Sequence, residues 1–334
     1  MDIQKEKIRN KIFFITGGAG FIGSSFIKEI IENNEVIVYD NLDRDSLTKR
    51  EFFHSKNLTL IKGHILNFSK LKKSIPKDIN FVIHMAAIAG VDTVIKNPVK
   101  TMEINIIGTY NLLKALYEKK LIKKIERFIN FSTSEVFGVN AIRVEEKQPS
   151  NLQPVGEARW NYAISKLAGE FLTFSYYDKF GLNCTILRPF NIYGPGQIGE
   201  GAIHHFVVRA IKNEPLLIHG NGDQIRSWCY IDDMVEGIKL CIIKEKAIGE
   251  VFHIGNPRGT ITVLSLAEKI VQLANSKSKL IYIEKKYSDV EIRIPDIRKS
   301  MQLLQFKPKV DLNEGIKKTI EWYKKNEKVK ISKT

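Results

Sequence analysis

Residues 11–23 read Lys-Ile-Phe-Phe-Ile-Thr-Gly-Gly-Ala-Gly-Phe-Ile-Gly: an apolar run that passes directly into glycines at 17, 20 and 23, then into apolar residues at helical spacing. This is a strand, a tight turn and the start of a helix. Glycines let the backbone turn sharply and bring N–H groups up to an anion at a helix N-terminus, where the helix dipole favours negative charge. A second apolar run ends in Asp40, seventeen residues beyond Gly23, where a carboxylate can accept hydrogen bonds from an adenosine ribose. The combination implies a dinucleotide site. It favours NAD over NADP, because a carboxylate at the ribose repels a 2′-phosphate; Arg44 is the nearby residue that pulls the other way.

The same rhythm continues to about residue 190. Lys11–Thr16, Glu35–Asp40, Leu58–Lys62, Asn80–His84, Arg127–Ser132 and Asn183–Arg188 read as strands, and Phe21–Asn33, Val99–Glu118 and Asn161–Phe180 carry helical periodicity. Six strands alternating with helices predict an α/β fold, a Rossmann-type doubly wound parallel sheet. After Arg188, Pro189, Gly194, Pro195, Gly196, Gly199 and Gly201 crowd into a loop, and shorter elements follow. Helices are expected near 202–212, 231–244, 262–274 and 311–326, with strands near 216–218, 251–254 and 280–283. The division expected is a cofactor-binding domain over 1–190, a smaller α/β substrate-binding domain over 191–325 interleaved with it, and a disordered basic tail over 326–334.

A formal charge of +15 raises the question of nucleic acid. The lysines are scattered over helical faces, as at 119, 120, 123 and 124, and no RNA-binding aromatic signature accompanies them. A solvated surface and no nucleic-acid partner are therefore expected. No apolar run approaches the roughly 18–20 residues of a membrane span, and Met-Asp-Ile-Gln-Lys-Glu-Lys is not an apolar signal region, so a cytoplasmic protein without a membrane partner is expected. Cys184, Cys229 and Cys241 stand singly, which predicts buried thiols and no metal site.

Two segments carry chemistry. Tyr162-Ala-Ile-Ser-Lys166 puts a phenol and an ammonium on one helix face, where the cation should draw the phenol from about 10 towards working pH and make it a general base. Asn130-Phe-Ser-Thr-Ser-Glu-Val-Phe-Gly138 ends a strand in three hydroxyls and a carboxylate, at the sheet edge where open parallel sheets bind ligands. Ser132 is expected to make only turn hydrogen bonds; Thr133 and Glu135 are expected to act on substrate.

TGGAGFIG at 16–23, HMAA at 84–87, STSEVFG at 132–138, YAISK at 162–166 and RPFNIYGPG at 188–196 resemble the extended short-chain dehydrogenase/reductase family of nucleotide-sugar epimerases, dehydratases and decarboxylases. The resemblance covers nearly the whole chain. It implies an NAD-dependent enzyme in which Tyr162 takes the proton of a sugar hydroxyl, usually on C4, Thr133 bonds the same oxygen, and Lys166 steadies the phenolate and the nicotinamide ribose. Gly17, Gly20, Phe21, Ile22, Gly23, Asp40, Asn41, His64, Ile65, Ala86, Ala87, Tyr162, Lys166 and Pro189 are the implied cofactor contacts. Ser134, Asn191, Arg226, Arg293 and Asp296 would hold a nucleotide-diphosphate sugar, and helices near 97–118 and 157–180 would pair two copies into a homodimer.

The chain departs from the family pattern at Gly63-His64, where Gly-Asp is usual, and at Phe137, where a tyrosine is common. The reaction turns on Ser134-Glu135, which resembles mannose-type dehydratases and uronate decarboxylases; Arg159-Trp160 is similar to one bacterial decarboxylase branch. A 4,6-dehydratase or uronate decarboxylase is thus expected ahead of a 4-epimerase. An NAD(H)-sensing regulator without catalysis is the alternative from another class.

Overall fold

The computed structural model describes residues 8–152, 154–284 and 290–326; the tail beyond 326 lies outside the described residues. The strands are β1 (Ile12–Thr16), β2 (Glu35–Asp40), β3 (Leu58–Lys62), β4 (Phe81–His84), β5 (Arg127–Phe131), β6 (Asn140–Val144), β7 (Cys184–Pro189) and β8 (Ile192–Tyr193). They continue as β9 (Leu216–His219), β10 (Ile225–Ser227), β11 (Cys229–Tyr230), β12 (Glu250–Ile254), β13 (Thr260–Thr262), β14 (Leu280–Ile283) and β15 (Ile292–Pro295). The large sheet is parallel, in the order β12-β7-β5-β4-β1-β2-β3.

Its central strands are continuous apolar runs because helices cover both faces. Phe13 and Phe14 are both fully buried, yet they enter the two separate cores on opposite sides of the sheet, as alternation along a strand requires. The strand order reverses at β1, which pairs with β2 on one side and β4 on the other. At that switch point neighbouring connections diverge and leave a crevice beyond the strand C-termini.

Seven strands build this sheet where six were expected. The run near 251–254, assigned from sequence to the smaller domain, is β12, and it pairs with β7 from Glu250↔Thr185 to Ile254↔Pro189. An apolar run of that length does not reveal which sheet will take it. The second sheet, β13-β10-β15-β6, includes β6 from the first half of the chain. In it Arg226 of β10 stands level with Arg293 of β15.

The expected helix over 99–118 forms as Pro98–Met102 and Gly108–Glu118 joined by a π-turn at Glu103–Ile107. Asn161–Phe180 is a single helix, closed by Gly181 at φ 73°. Among the described residues, no helix is long and apolar enough to cross a membrane.

Candidate active site

The glycine turn lies where the crevice opens. Gly17, at φ 72°, donates its N–H to the Tyr39 carbonyl at 3.0 Å, and a Cβ there would stand 2.4 Å from the Ala86 nitrogen. The turn and the end of β4 thus meet backbone to backbone. At Gly23 a Cβ would lie 2.7 Å from Gly18, so the helix start also needs glycine. Gly20 is the N-cap of helix Phe21–Ile30, with no capping side chain and no acidic residue in the first turn. That leaves the helix N-terminus suited to an anion.

Asp40 is buried at the end of β2 and accepts from the Ala19 N–H at 3.0 Å and the Leu42 N–H at 2.8 Å. Burial pushes its carboxyl above the usual value, while these two bonds pull it back. The cleft here is lined by Gly17, Gly20, Asp40, Asn41, His64, Ile65, Ala86 and Ala87. The His64 ring is held in place: the Leu66 N–H donates to Nδ1 at 3.3 Å, and the Tyr39 hydroxyl donates to the His64 carbonyl at 3.1 Å. Phe21, Ile22 and Gly23 form the first turn of the helix and Pro189 ends β7; none of the four is in the cleft lining. A bare helix N-terminus, a ribose-ready carboxylate and an apolar wall fit a dinucleotide.

Thr133 and Tyr162 are brought together, close enough for the Thr133 side chain to lower the phenol's pKa. The phenol does not lie where the sequence expectation put it in acidity. Burial raises it, the Glu135 charge raises it further, and Thr133, Arg293 and Arg159 oppose the rise; Lys166 is not among the principal causes. Lys166 is itself perturbed, pushed by burial down to about 8 with Glu170 acting in opposition. Taking an ammonium and a phenol out of water disfavours the charged form of each.

Behind these groups lies a buried polar network. The Ser132 hydroxyl donates to Glu170 rather than making the expected turn bond, and Arg188 reaches the same carboxylate through Nε at 2.8 Å and Nη2 at 2.6 Å. His84 lies between Thr16, 2.7 Å from Nδ1, and Thr109, 2.9 Å from Nε2. Because the Thr109 hydroxyl donates to the Asn105 carbonyl, it accepts from Nε2, and Thr16 donates to Nδ1. Burial pushes His84 down to about 3, so the ring is neutral.

Sequence reasoning missed Asn105. Its side-chain amide on the π-turn donates to the Ile88 carbonyl at 3.0 Å and to the Ser165 hydroxyl at 3.0 Å, tying the cleft wall to the helix of Tyr162 and Lys166. A polar residue inside the apolar run Glu103–Ile107 was the available signal.

Glu135 is the other focus. Arg159 Nη1 lies 2.5 Å from its Oε2 and Arg293 Nη1 3.4 Å from its Oε1. Both arginines are buried, and a three-residue turn, Ala158–Trp160, brings Arg159 in immediately before the Tyr162 helix. Ser134 is buried in the same short turn as Glu135. Arg226, beside Arg293 in the sheet, directs its guanidinium to the carbonyls of Glu291 at 3.2 Å and Val290 at 2.5 Å. Asn191, at φ 43°, donates from Nδ2 to the Ser227 carbonyl at 2.9 Å. Asp296 is not gathered with them: it pairs with Arg298 and faces a separate cleft with Arg143, Arg258 and Lys307.

A switch-point cleft with a glycine turn, in a chain that also carries Thr133, Tyr162, Lys166 and a carboxylate between arginines, marks a nucleotide-sugar enzyme of the extended short-chain dehydrogenase/reductase class. The chain belongs to the GDP-mannose 4,6 dehydratase family, whose model matches residues 14–319. It is 34% identical to a UDP-N-acetyl-alpha-D-glucosaminuronate decarboxylase of Bacillus cytotoxicus, over 94% of this chain and 98% of that protein. Identity to the human dTDP-D-glucose 4,6-dehydratase is also 34%, over 95% of this chain and 91% of that one. Among solved structures, UDP-glucuronic acid 4-epimerase from Bacillus cereus, in complex with UDP-glucuronic acid and NAD, superimposes with a TM-score of 0.85 at 30% identity, covering 94% of this chain and 99% of that one.

Proposed function

We propose that this protein is an NAD-dependent decarboxylase of a nucleotide-diphosphate uronate. The observation that carries this reading is the pair of buried guanidiniums, Arg159 and Arg293, on Glu135 next to the Thr133–Tyr162 pair. Planar guanidiniums bind carboxylates through paired donors. A C6 carboxylate on the sugar can share the donors of these two arginines with Glu135, whereas a C6 hydroxymethyl offers them no second anion.

NAD in the glycine-lined cleft supplies the hydride acceptor that makes C4 a ketone. Tyr162 accepts the C4 hydroxyl proton once its own phenol proton has passed to solvent, with Thr133 holding the same oxygen. With a ketone at C4, the C5–C6 bond can break: carbon dioxide leaves, its bonding pair moves to C5 and the C4 oxygen, and C5 then takes a proton; the C4 ketone is reduced again by the returned hydride as Tyr162 gives the proton back to its oxygen. Arg159 and Arg293, themselves oriented by Glu135, hold the carboxylate in place for that step, and Arg226 and Asn191 are assigned to the diphosphate. Asp296 is left out because its carboxylate is already paired with Arg298.

A second reading, 4-epimerisation of a uronate, is favoured by the likeness to the Bacillus cereus epimerase. Incubation with UDP-glucuronate, UDP-N-acetylglucosaminuronate and dTDP-glucose separates the outcomes by product mass. Loss of carbon dioxide supports decarboxylation, an isomer of unchanged mass supports epimerisation, and loss of water from dTDP-glucose supports dehydration. No product from any sugar returns the chain to the regulator class.

The protein is further assigned to the cytoplasm as a homodimer. Val99, Ile107, Tyr110, Tyr117 and Phe171 are exposed on helices Pro98–Glu118 and Asn161–Phe180, an apolar face that a second copy would cover. Light scattering should report twice the monomer mass, and Phe171→Glu should reduce it to the monomer. A wild-type monomer contradicts the assignment.

A further inference from the structure

The loop that carries Gly194–Gly201 sends one side chain across to the cofactor cleft. Glu200 Oε2 accepts from the Asp92 N–H at 2.9 Å, and Oε1 accepts from the Thr93 N–H at 3.0 Å and the Thr93 hydroxyl at 2.5 Å. Arg44 Nη2 lies 3.4 Å from the same Oε1 and donates to Thr93 Oγ1 at 2.9 Å. Gly90, at φ 97°, makes room for the carboxylate, since a Cβ there would lie 2.6 Å from it; a Cβ on Gly199 would touch the Arg44 guanidinium at 3.3 Å. Residues more than a hundred positions apart therefore fix one guanidinium among Thr93, Gly199 and Glu200.

That guanidinium matters because Arg44 and Thr93 line the same cleft as Asp40. Asp40 opposes a phosphate on the adenosine ribose by charge alone, and a nearby arginine free to turn could offset it. The Arg44–Glu200 pair is partly exposed, so it adds little to stability. Its effect is on where the cation points.

We propose that Glu200 is a cofactor-selectivity residue, which engages Arg44 and so withholds it from the ribose end of the cleft, making the protein take NAD rather than NADP. This rests on the dinucleotide reading of the cleft given above.

The test is titration of the full-length protein and its variants with NAD and with NADP, read by calorimetry. Wild type should bind NAD well over tenfold more tightly than NADP. Glu200→Ala should narrow that ratio at least tenfold, mainly through tighter NADP binding, and adding Arg44→Ala should abolish the gain. Glu200→Gln, which keeps the size and an acceptor for the backbone, should narrow the ratio in the same direction and decides the matter should Glu200→Ala fail to fold. An unchanged ratio in a variant that binds NAD overturns the inference and leaves the dinucleotide reading standing. A wild type that binds neither nucleotide overturns both.

Discussion

Lys166 should destabilise the fold it serves. Burial drops its folded value from the ordinary 10.5 to about 8. Converted at roughly 1.4 kcal/mol per pH unit, that drop makes the charged ammonium cost ~3 kcal/mol at neutral pH. The sign follows from linkage: a lysine whose folded value lies below its unfolded one is protonated more readily in the unfolded chain. The penalty is complete below about 8 and fades as pH climbs through 10.5. Lys166→Met keeps the apolar stem and removes the charge, while Glu170 retains Arg188 and Ser132 as partners. Urea unfolding of both proteins should show the variant more stable by ~2–3 kcal/mol at pH 7, with the difference mostly gone by about pH 10.5, and without turnover. A variant that is no more stable at pH 7, or a gain independent of pH, refutes the reasoning.

Tyr162→Phe should leave nucleotide binding nearly intact and remove most turnover, because it deletes the proton acceptor and little else; parallel calorimetry and product analysis check both halves. Glu170→Ala should cost ~3–5 kcal/mol in urea unfolding, since it leaves the buried Arg188 guanidinium without its carboxylate. Arg293→Ala should lower product formation by at least about tenfold while NAD binding stays within error, the expected pattern for a group that orients the sugar and not the cofactor.

Features set by local pattern were legible in the sequence. Gly17, Gly20 and Gly23 with Asp40 announce the turn and the carboxylate at the end of β2 because both lie within one strand–turn–helix unit, and Tyr162 and Lys166 share a helix face by spacing alone. What stayed hidden depends on chain segments that meet only after folding. β6 and β15 are short and pair over about 150 residues, so neither the second sheet nor the level placement of Arg226 and Arg293 could be foreseen. Arg159 was noticed by resemblance, but its contact with Glu135 needs the turn at Ala158–Trp160. Asp296, named with Arg293 from one short motif, sits three residues on, beyond the register shift at Ile294–Pro295, and its carboxylate pairs with Arg298. The acidity of Tyr162 was misjudged because sequence shows the neighbouring lysine but not the burial that outweighs it.

The claim that this site strips a carboxylate from its sugar is tested most directly with a nucleotide uronate carrying carbon-13 at C6. Carbon-13 nuclear magnetic resonance should show the label leaving as carbon dioxide and bicarbonate, one per sugar consumed, with NAD unchanged in amount at the end. A label that stays at C6 of the product contradicts the account.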